Sequence, residues 1–407
     1  MNKTHKIIND PVYGFISIDD AILMEVVELP YMQRLRRIHQ LGMSSLVYPG
    51  ATHSRLQHSL GAMHLMQLAV KTLIEKECDI TQEEALALKL AILLHDIGHG
   101  PFSHVLEYNI CSDVSHEDLT LLFMKRINER LGGKLSLAID IFSDSYPKHF
   151  LHQLISSSLD VDRLDYIKRD SFYTGVAEGA IGVDRLLMML DVSDNQLVVE
   201  SKGVYSVEKM IIARRLMYWQ VYLHKTVVKA EKMLNQIFRR ARELTHRGEH
   251  LAATPALSYF LNNDVTLDDF KSDPTLLDRF AMLDDNDVLS AIKCWMSSSD
   301  RTLAILSDNF INRRLPGIEI RRDRISDAEI LECRKRVQKE MKLTEEESTY
   351  FVMSGKLSSR TYARGRDKIN IMYSNGVVRD IAEVSDVFEL QNISDKDNRY
   401  YLCCPKL

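Results

Sequence analysis

From Asp19 to about Leu251 the apolar residues of this 407-residue chain return at i, i+3, i+4 and i+7 in one stretch after another. The clearest stretches are 20–28, 60–76, 83–94, 117–131 and 206–245. A half-buried strand alternates with period two, so this part of the chain has to be helical. The last stretch predicts one very long helix, with Ser206 as N-cap and Glu208 favouring the dipole in its first turn. The flanks are patterned differently. Residues 6–18 set short apolar runs around Asn9-Asp10-Pro11 and Gly14, which predicts a small β-hairpin. Residues 252–314 predict shorter helices separated by turns at Asn262-Asn263-Asp264 and Asp284-Asp285-Asn286-Asp287. Pro316-Gly317 marks a boundary. Beyond it, 318–322 reads as strand, 327–341 as helix and 368–373 as strand, with Asn375-Gly376 turning tightly into 377–381. The expected fold is mainly α. A hairpin segment spans 1–20, an all-helical core 21–251, a helical extension 252–315 and a small α+β lobe 316–407.

With 45% hydrophobic and 27% charged residues, the chain has material for a sizeable core and a wettable surface. A net charge of −5 does not favour non-specific nucleic-acid binding, although a local basic patch could still hold polyphosphate. No run approaches ~18 apolar residues, and the N-terminal residues lead into no apolar signal segment, so neither spanning nor secretion is expected. Among the six cysteines there is no C-x-x-C pair, and Cys403-Cys404 is vicinal, a poor geometry for a structural disulfide. A reducing cytoplasm is the simplest reading.

Seven of the fourteen histidines fall between His53 and His116. Within that stretch the order is His53-Ser54-Arg55, then His58-Ser59-Leu60-Gly61, then His95-Asp96-Ile97-Gly98-His99-Gly100-Pro101-Phe102-Ser103-His104. Imidazole is the commonest nitrogen ligand for a metal and the commonest acid/base near neutral pH. Neutral imidazoles together with carboxylates suit borderline first-row divalent metals, and such ligands have to converge from several helices. His58 begins one helix and His95-Asp96 ends another, where Gly98, Gly100 and Pro101 stop it. Adjacent residues point about 100° apart on a helix, so they could share a metal only at its edge. A third helix offers Asp160, Asp162 and Asp165, three carboxylates that repel unless paired with a cation. Each piece also has an ordinary reading. His58 could be a hydrogen-bonded core residue, His95-Asp96 a helix-terminal pair, and the three aspartates a face salt-bridged to Arg163, Lys168 and Arg169. His39, His64, His149, His152, His246 and His250 read as structural or surface residues.

Taken in order, His58, His95-Asp96 and Asp162 resemble the ligand set of the HD-domain metal-dependent phosphohydrolases. The strings around Gln33–Gly42, Tyr48–Arg55, His95–His104 and Asp160–Tyr166 are similar to the deoxynucleoside triphosphate triphosphohydrolase branch, which holds a vertebrate sterile-α-motif/HD-domain enzyme and bacterial dGTPases. The likeness covers roughly residues 6–314 and leaves the C-terminal lobe without a functional account. It implies an all-helical HD core with one divalent transition metal (Mn, Fe, Zn, Co or Ni) on His58, His95, Asp96 and Asp162, and Mg accompanying the substrate phosphates. It implies cleavage of a dNTP, with dGTP the candidate preferred substrate, to deoxynucleoside and triphosphate by water attacking the α-phosphorus. Glu107 would orient His104 for proton transfer on a shared helix, with His116 beside the triphosphate. Arg55, Arg163 and Arg214 would neutralise phosphate, Arg163 standing where the family usually has Lys. Gln40, Leu41 and Asp170 would read the sugar, and Tyr166 and Tyr222 would pack near sugar and base or serve as ordinary helix-packing aromatics.

The same resemblance implies a homo-oligomer, dimer or tetramer, and an activating nucleotide at Asn9, Gln33, Arg36, Lys202, His224 and Lys225. Glu28 and Glu200 depart from that pattern, where the family's animal member has Asp and Arg. Two other functions stay open: an HD phosphohydrolase acting on another nucleotide or phosphoester, and a non-catalytic nucleotide sensor.

Overall fold

The computed structural model describes residues 6–111, 113–359, 368–385 and 397–406, apart from the side chains of His104, Glu107, Tyr108, Ser359 and Asp397. Strands Lys6–Asp10 and Gly14–Ile18 pair antiparallel, with Gly14 at φ 78°. Asp10 makes the turn, its carboxylate accepting from the backbone N–H of Val12 (2.9 Å) and Tyr13 (3.0 Å). Ile16 and Ile18 face the core, and Ile7 and Phe15 face outward.

The helix Arg55–Glu75 lies at the centre, with buried residues all round it. It begins a turn earlier than the apolar periodicity indicates. Arg55, Gln57 and His58 are polar, and the start is set by a capping box between Ser54 and Gln57. It packs against Gln82–Leu94, which is boxed by Thr81 and Glu84, and against Val161–Thr174, which Asp160 caps. Gly61 permits the second contact. A Cβ there would lie 2.1 Å from Arg169 Nη2 and 2.1 Å from Asp165 Oδ1. Gly61→Ala is therefore expected to cost about 1–3 kcal/mol, because neither buried side chain is free to withdraw. A thermal melt indistinguishable from that of the parent would count against this packing.

The single helix expected over 206–245 is two, Val204–Met217 and Lys225–His246, separated by a π-helical turn, Tyr218–Tyr222. Hydrophobic periodicity runs through the break because no Pro or Gly marks it. The second helix is restarted by His224, whose Nδ1 accepts from Thr226 N at 3.1 Å. Nor is Ser206 an N-cap: the first helix starts at Val204 behind Gly203, and Glu208 is buried against the Ser385 hydroxyl.

The extension after residue 252 is a run of short helices, as expected. Asp284, read as part of a turn, caps the helix Asp285–Trp295. Beyond Pro316 the predicted strands and the helix Asp327–Met341 are present. The hairpin around Gly376 (φ 80°) does not stand alone, however. Its strand Asn370–Met372 pairs parallel with Gln196–Glu200, part of a hairpin with Leu190–Ser193 that the sequence reading missed. A second sheet has the order Gly317–Arg321, Asp397–Cys404, Met353–Ser359, all antiparallel. Its Met353, Leu357, Tyr401 and Cys403 pack on Val228 and Leu223 at the start of the Lys225–His246 helix. Arg399 lies 3.6 Å from the ring centre of Trp219 in the π turn. Cys333 and Cys404 are disulfide-bonded, a pairing that the spacing of the cysteines did not reveal.

Candidate active site

His58, His95 and Asp162 form the group among the described residues that could hold a metal ion. His58 Nε2 lies 3.0 Å from Asp162 Oδ1 and 3.2 Å from His95 Nε2. In each imidazole the other nitrogen is already engaged. His58 Nδ1 meets Asp165 Oδ2 at 2.7 Å, and His95 Nδ1 meets the Ile92 carbonyl at 2.6 Å. Such outer partners fix ring orientation and tautomer, and aim both Nε2 atoms at one point. Asp96 stands alongside, its Oδ1 3.4 Å from His95 Nε2, while its Oδ2 receives Arg55. His99 Nδ1 is 3.2 Å from Asp96 Oδ1.

Burial opposes the charge on Asp162, but the hydrogen bonds with His58 and His95 hold its carboxyl well below the usual carboxylate range. Burial likewise opposes a proton on His58, yet Asp162 and Asp165 outweigh it and push the imidazole up to about 10. Ligand groups so arranged exchange protons for a cation, which makes metal uptake pH-dependent. The donor set and its convergence fit a divalent first-row metal.

The three aspartates divide the work. Asp160 caps its helix and pairs with Arg163, Asp162 joins the two imidazoles, and Asp165 supports His58. Behind Asp165 a buried chain continues. Arg169 bonds Asp165 through Nε (2.9 Å) and reaches Asp10 of the N-terminal hairpin through Nη1 (2.8 Å).

A cavity of about 360 Å³, within the range of small-molecule sites, opens beside the cluster. Of the predicted substrate residues, Gln40, Leu41, Arg55, Tyr166, Asp170 and Tyr222 line it, as do Asp96, Asp162 and His116. Arg163 and Arg214 are not among its lining residues. Arg163 is drawn to Asp160, and Arg214 leans on the Tyr218 ring at 5.8 Å. Asp170 accepts from Tyr222 Oη at 2.7 Å and lies 2.8 Å from His53 Nε2. Gln40 Oε1 is buried without a partner. His104 and Glu107 lie outside the described side chains. Their backbone is a 3-10 turn, Ser103–Val105, followed by a short helix, Glu107–Ile110, rather than one shared helix. Phe102 and Ser103 both have positive φ (52° and 51°), strain of the kind that is held at working sites. Two bonds from Arg55 to Ser103 Oγ (2.9 and 2.7 Å) and one from Phe102 N to Asp285 Oδ1 (2.8 Å) hold this turn.

Among the lining or supporting residues that escaped the sequence reading are His53, His99, Tyr218 and Glu231. His53 and His99 stand in the quoted histidine strings, and His99 stacks on His116 at 4.0 Å. Tyr218 enters through the π turn, and Glu231 through one face of the following helix, where nothing in the sequence distinguishes it. Of the proposed activator residues, Asn9, Gln33 and Arg36 line a second cavity beneath the hairpin, and Lys202, His224 and Lys225 are not among its lining residues. Glu200 is taken by Lys76.

Residues 55–170 match the HD domain, and residues 181–254 match the HD associated region. The chain belongs to the HD-domain phosphohydrolase family. It is 50% identical to a phosphohydrolase of Bacteroides thetaiotaomicron of known structure, covering 99% of this chain and 100% of that one with a TM-score of 0.95. It is 33% identical to the uncharacterized protein YwfO of Bacillus subtilis, over 76% of this chain and 71% of that one. The deoxynucleoside triphosphate triphosphohydrolase SAMHD1 homolog of Dictyostelium discoideum is 32% identical over 61% of this chain and 52% of its own length. This chain thus spans about half the length of that triphosphohydrolase. Among the described residues no helix is long and apolar enough to cross a membrane.

Proposed function

We propose that the chain hydrolyses deoxynucleoside triphosphates to deoxynucleoside and inorganic triphosphate. The observation that carries this reading is one cavity lined both by Asp162 of the cluster with Asp96 and by Gln40 and Asp170, with Gln40 Oε1 buried and without a partner. His58, His95 and Asp162, with Asp96 adjacent, would hold the metal. A divalent ion there supplies Lewis acidity toward a phosphoryl oxygen and lowers the pKa of bound water. Arg55 faces the same cavity and offers charge to a phosphate, held in place by Ser103 and Asp96. Gln40 and Asp170 hydrogen-bond a 3′-hydroxyl, and Leu41 closes on the sugar. Tyr166 and Tyr222 meet edge to face (6.3 Å) and give that end an apolar wall. His116 borders the cavity with His99 stacked behind it, and His104 with Glu107 remains the proposed proton-transfer pair. The triphosphohydrolase relative supports the substrate class, as does the histidine string itself.

Product analysis tests the reading. Protein loaded with Mn²⁺ is incubated with each dNTP, with mixtures, and with the four NTPs. Intact triphosphate is the expected product, and Asp162→Ala is expected to lower its release more than the ~10–100-fold that losing an outer metal partner costs. Orthophosphate or pyrophosphate as product would move the chain to another phosphoester substrate. Activity confined to mixtures would give the second cavity an activating nucleotide. Assembly of the chain into a homo-oligomer, and residence in the cytoplasm, belong to the same proposal.

A further inference from the structure

His53 is fully buried and its ring stacks on Tyr173 at 4.5 Å, nearly parallel. Its Nε2 is 2.8 Å from Asp170 Oδ1. A carboxylate accepts, so Nε2 carries the hydrogen and donates, and Nδ1 is left without a partner. The other oxygen of Asp170 receives Tyr222. A carboxylate has about four lone-pair directions, so two fixed donors leave the remaining ones pointing along set lines. Asp170 is 1% exposed and borders the cavity, so those lines can be met only from within the protein or by a ligand in the cavity.

We propose that His53 is a positioning residue, which aims the Asp170 carboxylate at a sugar hydroxyl of the ligand. This rests on the reading of Asp170 as the sugar contact. His53 itself does not line the cavity, so it acts through Asp170 rather than on the ligand. With the ring held by Tyr173 and the carboxylate held from both sides, a 3′-hydroxyl meets an acceptor already in place. A ligand lacking that hydroxyl leaves the buried acceptor unmet and is rejected.

The test compares dATP with 2′,3′-dideoxy-ATP, by turnover with Mn²⁺ and by calorimetric binding in EDTA, for the parent chain, His53→Phe and His53→Gln. Phe keeps the stack on Tyr173 and loses the donor, whereas Gln keeps a donor. The parent is expected to prefer dATP. In His53→Phe that preference should fall at least about tenfold, with His53→Gln restoring part of it. An unchanged preference in a folded His53→Phe overturns the proposal, even if its melting temperature drops, because the residue would then be structural. If His53→Phe does not fold, His53→Gln and His53→Asn decide. Gln retaining the preference while Asn, whose amide reaches less far, loses it is the expected result, and identical ratios overturn it. Binding without turnover that still follows this pattern would sink the triphosphohydrolase reading and leave this one standing. Turnover of both nucleotides without preference would do the reverse.

Discussion

Asp165→Asn is expected to damage both the metal centre and the fold, although Asp165 itself is no candidate ligand. Its carboxylate is fully buried between His58 Nδ1 (2.7 Å) and Arg169 Nε (2.9 Å). Burial opposes its charge, but Arg169 and His58 hold the carboxyl below its usual range. An amide in its place leaves Arg169, also fully buried, paired with Asp10 alone of its two carboxylates. Leaving a buried charge wholly uncompensated costs about 3–5 kcal/mol, and because Arg169 keeps Asp10 the loss here is expected at or below the lower end of that range. Loss of the partner behind a metal-bound imidazole lowers metal affinity by about 10–100-fold. Chemical denaturation and competition for Mn²⁺ by a chelator would read the two effects separately. The sign of the pH dependence follows from the lowered carboxyl. The stabilisation by Asp165 is present above its unfolded pKa and is lost as pH falls through the folded one. The parent should therefore lose more stability on acidification than Asp165→Asn. A comparison with Glu75→Gln, from an exposed pair with Lys71, should show a change of about 0–1 kcal/mol. Equal losses for the two variants would refute the account.

Glu231→Gln should stabilise the protein at alkaline pH. Burial pushes the Glu231 carboxyl from 4.5 up to about 7, with Lys232 pulling weakly the other way. The folded chain then binds this proton more tightly than the unfolded one, so stability declines as pH rises between about 4.5 and 7. Gln keeps the shape and removes the titration. At pH 8 the variant is expected to be more stable by about 1–3 kcal/mol, and at pH 5 the two proteins should unfold nearly together. A difference of the same size at both pH values would mean that packing, not charge, separates them. Glu231 lines the cavity, so the same substitution also removes a titrating group from its wall.

The helical core was legible because burial on one face imposes a period, and helices such as Lys225–His246 announce themselves by it. The candidate metal cluster was legible for a different reason: histidines crowd between His53 and His116, and the order His58, His95-Asp96, Asp162 follows a family pattern. What stayed hidden was set by tertiary contact. The π turn at Tyr218–Tyr222 leaves apolar spacing intact, so one helix was expected where two exist. The hairpin Leu190–Glu200 is short, and its turn, Asp194-Asn195 at positive φ, was overlooked within a helical tract. Arg163 was placed at phosphate by the family resemblance and also read as a salt-bridge partner of the aspartates, and the structure pairs it with Asp160, three residues before it. His53 and Glu231 carry no local signal of their purpose, since each acquires it from a partner or a cavity assembled from distant segments.

The π turn has one further consequence. Trp219 within it lies under Arg399 of the last described strand, while Tyr218 and Tyr222 on either side of Trp219 form cavity wall. At the other end of the chain, Asp10 anchors Arg169, and through it Asp165 and His58. The site is thus braced from two segments far apart in sequence, Lys6–Asp10 and Asp397–Cys404. A variant without Asp397–Cys404 lacks the strand that packs through Tyr401 and Cys403 beside Leu223 and Val228, and through Arg399 on Trp219. Loss of either segment is expected to disturb a site whose candidate metal ligands all lie between them in sequence.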